Sequence, residues 1–298
     1  MQTQKKTLGL TTVLGSYILW GLLPGFWTLL SPVSPVYILA QRILWSLVFM
    51  ALYMAATRSL GEITAAFRDR KVLGRSFLCG VLITLNWGVY IYAVNSGHVL
   101  DASMGYFIEP VLVALIGVLV FRERPTPAEK LTFCCALAGI LYLLVRTGHP
   151  PLLALAVAAP FALYGAVKKD LALSPQASLT METLLMLPFA LAFSAWWTAR
   201  TGGMGNVMGG APFWLLPACG VVTSVPLLLF NVGVKEIPYY FTGILMYINP
   251  TLQFLMGLLY FREEMNVDRL IAFVIIWVGI FLTLAEKIRR IRREKASL

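Results

Sequence analysis

Seven polar side chains interrupt long apolar runs in this sequence: Arg42, Asn86, Asn95, Glu109, Glu182, Asn231 and Asn249. A charge at the centre of a bilayer costs roughly 3 kcal/mol or more, so such groups face a cavity or each other. Arg42 and Glu182 stand 140 residues apart. They could form an ion pair that gates a central cavity or orients a solute in it. The plainer alternatives are a static buried pair, or Arg42 reaching for a carbonyl or a helix end. Glu109 precedes Pro110, and Asn249 precedes Pro250 at the same offset of 140. A proline inside a helix removes one backbone bond and frees a carbonyl a turn earlier, giving a kink and an exposed acceptor. A carboxylate beside that kink could take up a coupling proton. Alternatively, Glu109 lies near the outer end of its segment and is simply solvated.

Aromatic residues flank this set. Trp20, Trp87, Tyr106 and Tyr247 could line an amphipathic or aromatic pocket, although packing and interfacial roles are the ordinary use of such residues. Other chemistry finds no support. No GxxxxGK[ST] loop is present to cradle a phosphate, and no HExxH or Ser/His/Asp set appears. His98 and His149 are far apart, and Cys79, Cys134, Cys135 and Cys219 all sit in apolar stretches without metal spacing. Neither a metal nor another cofactor is expected.

The elements that must carry these residues follow from composition. The 298 residues are 59% hydrophobic and 13% charged, with a mean hydropathy of +0.78. Apolar runs of about twenty residues, enough to cross a hydrocarbon core of roughly 30 Å, succeed one another along the chain. The pattern predicts an all-α polytopic membrane protein of ten segments, near 8–30, 35–57, 77–95, 102–121, 130–145, a sixth ending at 167, 176–198, 211–234, 239–261 and 267–287. The first is read as an uncleaved helix, and the glycine-rich stretch 202–210 as an irregular loop. Gly21 and Gly25, four residues apart, permit close helix approach.

The offset of 140 is a duplication. It aligns Pro110 with Pro250, Leu115 with Leu255, Gly117 with Gly257 and Gly139 with Gly279 without a gap, and the Phe-Arg-Glu at 121–123 with that at 261–263. Domains 1–146 and 147–298 then carry five segments each, and an odd number inverts the second copy. Charge agrees: with the N-terminus inside, 19 of the 24 Lys and Arg residues fall on the inner side and 4 outside, with Arg42 in the membrane. Lys168, Lys169 and Lys235 count here as inner loop cations. The positive-inside rule puts both termini in the cytoplasm. The net charge of +10 is thereby explained by topology, and no nucleic-acid partner is expected. Inverted repeats are widespread in secondary transporters, whose solute site lies near the midplane between the halves.

The residues also resemble a known family. Trp20-Gly21, the run from Arg42 to Ser46, Asn86-Trp87, Ala93 to Asn95, Ala102 to Ile108, Val222 to Leu228, Tyr247 to Leu252 and Ile276-Trp277 are similar to the RarD-type branch of EamA-domain permeases, in the drug/metabolite transporter superfamily. The resemblance spans essentially the whole chain. It implies a ten-helix permease of the bacterial inner membrane, moving small metabolites, amino acids or drugs. Relatives often carry His where this chain has Gln41, and Asn-Pro where it has Glu109-Pro110, so the resemblance lends Glu109 no proton role. The expectation is a permease for a small organic solute, working by alternating access in the lipid bilayer. The site is expected to draw on Arg42, Trp20, Asn86, Trp87, Asn95, Tyr106, Glu109, Glu182, Tyr247 and Asn249. Pro110 and Pro250 serve as helix-breaking hinges. An uncoupled facilitator and a non-transporting scaffold or sensor are the rival readings.

Overall fold

A computed structural model describes residues 2–30, 33–95, 99–148, 152–201, 211–262 and 267–296. The loop 202–210 and the pair Glu263-Glu264 therefore lie outside the described residues, as do His98 and His149. All regular structure among the described residues is helical: α1 (Gln2–Leu29), α2 (Pro35–Ala56), α3 (Gly61–Arg68), α4 (Arg70–Asn95), α5 (Val99–Leu119), α6 (Pro127–Thr147) and α7 (Leu152–Lys169). There follow α8 (Pro175–Thr201), α9 (Ala211–Leu215), α10 (Ala218–Glu236), α11 (Tyr239–Met246), α12 (Ile248–Leu259) and α13 (Val267–Ala296). Eight spans among the described residues are long and apolar enough to cross a membrane, with α11 and α12 together forming one of them. Two shorter apolar stretches, Gly105–Leu119 in α5 and Leu270–Thr283 in α13, accompany them. The protein is a multi-pass helical membrane protein.

Local chemistry sets the helix ends. Thr126 and Glu129 form a reciprocal capping box at the start of α6, with Pro127 in the first turn, and Gly148 closes that helix in the left-handed region at φ 74°. The duplicated Phe-Arg-Glu is a structural device as well as a sequence match. Arg122 and Arg262 both take left-handed backbone, at φ 52° and 53°. In both copies the amides at the helix end fold back on one carbonyl, that of Ile116 in the first and Met256 in the second.

The helices pack as α1 on α10 and α12, α2 on α8 and α10, α4 on α7 and α8, α5 on α7 and α11, and α6 on α13. Glycines make the closest of these contacts possible. A Cβ on Gly139 would stand 3.2 Å from the Ala272 carbonyl, and one on Gly279 would stand 2.8 Å from Thr132 Cα, so α6 and α13 approach through two reciprocal glycines. Gly21 and Gly25 face Leu252 and Met256 of α12, the close approach that their spacing predicted.

One end of the bundle gathers several connections. Lys169 Nζ donates to the carbonyls of Val234 (3.2 Å) and Ile237 (2.7 Å), and Lys235 Nζ donates to that of Leu171 (2.8 Å). Glu123 accepts the first two amides of α11, from Tyr239 and Tyr240, at 2.8 and 2.9 Å. The start of α1, at Gly9, lies against Glu236 and Ile237 of this same end. Thr126 meets Glu286, near the end of α13, at 3.5 Å. At the opposite end, Asp268 of α13 takes hydrogen bonds from Tyr142 (2.7 Å) and Arg146 (2.9 Å) of α6.

The two prolines do not act alike. The second span is interrupted at Tyr247, three residues before Pro250, and this divides α11 from α12. By contrast α5 runs unbroken through Pro110. Pro110, expected as a helix-breaking hinge, thus leaves its helix continuous, while the span that carries Pro250 is interrupted. Gly243 packs against the Pro110 carbonyl, so α11 supports α5 at its weak point.

Candidate functional site

Four helices bring polar groups to one narrow cavity near the middle of the bundle. Its lining includes Arg42 and Ser46 from α2, Thr84 and Trp87 from α4, Glu182 from α8 and Thr223 from α10. The open volume is about 10 Å³, the room of roughly one water molecule. Ile43, Ile83, Leu179 and Leu227 close it with apolar wall.

Arg42 and Glu182 share this cavity but not a bond. Arg42 Nε donates to Thr223 Oγ1 at 3.1 Å, and the guanidinium stacks over Trp87 at 3.8 Å with Trp27 at 4.8 Å. Cation–π attraction of this kind is worth about 2 kcal/mol when desolvated. The expected Arg42–Glu182 ion pair is replaced by another. Glu182 Oε2 meets Lys168 Nζ at 2.8 Å, with the side chains 1% and 0% exposed. Tyr164 donates to Glu182 Oε1 at 3.2 Å, and Lys168 also donates to Ser178 Oγ at 2.5 Å. Lys168 is therefore no solvated loop cation. It belongs to the last turn of α7, and that turn is buried against α8. The sequence held a signal for it, since a carboxylate at membrane depth calls for a cation and Lys168-Lys169 ends the preceding helix. Thr223, Ser46 and Trp27 carried no such signal.

Other expected site residues are used differently. Asn86 donates to the Val157 carbonyl at 2.8 Å, beside the carbonyl of Ala156 that Pro160 cannot satisfy. It stands behind Trp87 as a brace of α7. Trp20 packs edge-on to Phe161 at 5.6 Å within an aromatic cluster that includes Phe230 and Tyr17. Tyr106 packs on Tyr90 at 5.6 Å and lies within electrostatic reach of both Arg42 and Glu109. The side chain of Asn95 lies outside the described residues.

A second group surrounds the interrupted helix. Tyr247 donates to the Phe107 carbonyl at 3.1 Å, tying the α11–α12 break to α5. Asn249 Oδ1 accepts from Gln253 at 2.8 Å. Glu109 is only 5% exposed, so the reading of a solvated carboxylate fails. Its electrostatic neighbours are Tyr17, Tyr106 and Tyr239. Pro110 and Pro250 are likewise buried, the latter in the first turn of α12. The site residues thus fall into a cavity set around Arg42 and a hinge set around Glu109 and Tyr247.

The EamA-like transporter family model matches residues 7–145 and 150–285. The chain belongs to the EamA-like transporter family. Within it, the chain is 37% identical to the Protein RarD of Streptomyces exfoliatus, covering 97% of this chain and 92% of that one. It is 36% identical to the uncharacterized transporter YojE of Bacillus subtilis (strain 168), covering 99% and 100%. A solved crystal structure shares the fold at a TM-score of 0.71 with 18% identity, covering 97% of this chain and 99% of that one. Membership of a family of transporters, with RarD proteins among the relatives, makes this chain a membrane transporter of the drug/metabolite type.

Proposed function

We propose that this EamA-family protein is a secondary transporter that moves a small organic metabolite or drug-like solute across the bacterial inner membrane by alternating access. Its ten membrane segments form two five-helix repeats, 1–146 and 147–298, inverted with respect to each other, with both termini in the cytoplasm. Segments are counted here with α3 and α9 set aside and α11–α12 taken as one. The observation that carries the reading is the symmetry of helix packing. Shifting each helix by five segments turns the α1–α10 contact into α7–α4, α5–α7 into α12–α1, and α2–α10 into α8–α4. The contacts α2–α8, α5–α11 and α6–α13 map onto themselves. Gly80 and Gly220, related by the same 140 residues, support it further, since one seats α4 on α8 and the other seats α10 on α2.

Two halves related in this way can rock about the shared contacts, exposing the cavity at Arg42 to either side. The gathering of basic connections at the end that also holds both chain ends supports the cytoplasmic assignment. Substrate-dependent counterflow in proteoliposomes tests the function. Flux of at least one metabolite or drug-like solute is expected, and absence of flux in both directions across a broad panel would overturn it. Proton coupling is favoured by one further observation: Glu109 is buried and has no ion pair among the described residues.

A further inference from the structure

We infer that the solute bound where this one-water cavity widens as the halves rock apart is an organic monocarboxylate, its carboxylate held by Arg42 and its apolar body against the walls of α2, α4 and α10. The inference rests on the transport reading above and names its substrate class. A guanidinium presents a planar fork of N–H donors that fits a carboxylate with two parallel bonds. At Arg42 only Nε is engaged, by Thr223, and the terminal amino groups have no acceptor among the described residues. No carboxylate among the described residues lies within ion-pair distance of it. Trp87 and Trp27 lie 3.8 and 4.8 Å from the guanidinium carbon, and aromatic rings attract the cation without taking up its N–H donors.

The charge balance selects the class of anion. Glu182, the acid that shares the cavity, is matched to Lys168. Within the cavity, the positive charge of Arg42 has no ion-pair partner among the described residues. A monoanion neutralises it, whereas a dianion would leave a bare negative charge in a poorly hydrated space. Ser46 Oγ, in a residue 1% exposed, and Thr84 Oγ1 line the same cavity and make no hydrogen bond. Buried hydroxyls without partners are uncommon, and here they offer donors to the second carboxylate oxygen or to another polar group of the ligand. Ile43, Ile83 and Leu227 supply the apolar wall.

The test uses the full chain in lipid nanodiscs, with binding read by isothermal titration calorimetry. The probes are hexanoate, hexanamide and hexyl phosphate. Hexanoate is expected to bind at least about tenfold more tightly than hexanamide or hexyl phosphate. Arg42→Gln is expected to abolish that preference, and Arg42→Lys to keep the charge but weaken hexanoate about tenfold, having lost the fork. Should Arg42→Gln fail to fold, Thr223→Val removes only the Nε anchor and is expected to weaken hexanoate selectively. Equal binding of the amide, tighter binding of the phosphate, a preference that survives both variants, or no saturable signal from any probe would each overturn the inference. Counterflow separates the two readings. Discriminating binding without flux sinks transport and keeps the site, while flux of neutral solutes that is indifferent to Arg42→Gln does the reverse.

Discussion

The buried pair of Lys168 and Glu182 makes stability sensitive to either side chain alone. Each charge was removed from water, and each is tolerable only because the other stands 2.8 Å away. Lys168→Met strands the carboxylate and is expected to cost about 3–5 kcal/mol, read as a large fall in thermal midpoint in detergent. The double variant Lys168→Met, Glu182→Leu should recover most of that loss; if it is as unstable as the single variant, the charges are not the reason for the burial. Glu109 makes a different prediction because it has no such partner among the described residues. If it carries the coupling proton, Glu109→Gln leaves counterflow intact but makes net uptake insensitive to an imposed pH gradient. A pH-driven uptake that persists in Glu109→Gln would remove Glu109 from the coupling.

At the scale of the element, the asymmetry between the two prolines has consequences. The span Tyr239–Leu259 is already interrupted at Tyr247, so bending there costs no helix bond that is not already absent. Restoring the amide with Pro250→Ala is expected to stiffen α11–α12 and slow flux about tenfold or more while leaving binding near normal. Pro110→Ala, in a helix that is continuous, should do much less. Equal effects would place the hinge elsewhere. The α6–α13 contact carries a clasp with its own pH signature. The hydroxyl of Tyr142 first, and then Arg146, hold the Asp268 carboxyl below its ordinary range. A depressed folded value means the clasp contributes above the unfolded value and is lost as pH falls through the folded one. Asp268→Asn should therefore lower the thermal midpoint slightly at neutral pH and make no difference in strong acid.

For the whole molecule the decisive question is which ends share a side. The first turns of α1, Glu286 in the C-terminal half of α13 and the connections bearing Glu123, Lys169 and Lys235 gather at one end of the bundle, and the Arg146–Asp268 clasp closes the other. In a variant lacking its own cysteines, Lys71→Cys should react with an impermeant maleimide only from the cytoplasmic side, and Thr201→Cys only from outside. Labelling of both from the same side would overturn the inverted arrangement. The bias of basic charge survives the correction at Lys168, since one buried lysine leaves 18 basic residues on the side expected to be inner against 4 on the other.

Much of this was legible in the chain itself. Apolar runs separated by charge dictate membrane-crossing helices, because a backbone in lipid must satisfy its own hydrogen bonds. A gapless offset of 140 residues implied matching elements, and the twin left-handed turns at Arg122 and Arg262 and the facing glycines Gly139 and Gly279 follow from it. Arg42 and Glu182 stood out among ten candidates because charged groups are expensive in lipid, and Trp87 because it flanks the polar set. Which partner each takes was not legible. Pairing is decided by a few ångströms of helix rotation and depth, and periodicity carries no information on that scale. Tertiary structure alone gave Glu182 to Lys168 and set Arg42 against two tryptophans. It also buried Glu109 and, of the two spans that carry the duplicated proline, interrupted only the second. The charge left over at Arg42, on which the substrate inference rests, exists only because packing matched the other acid elsewhere.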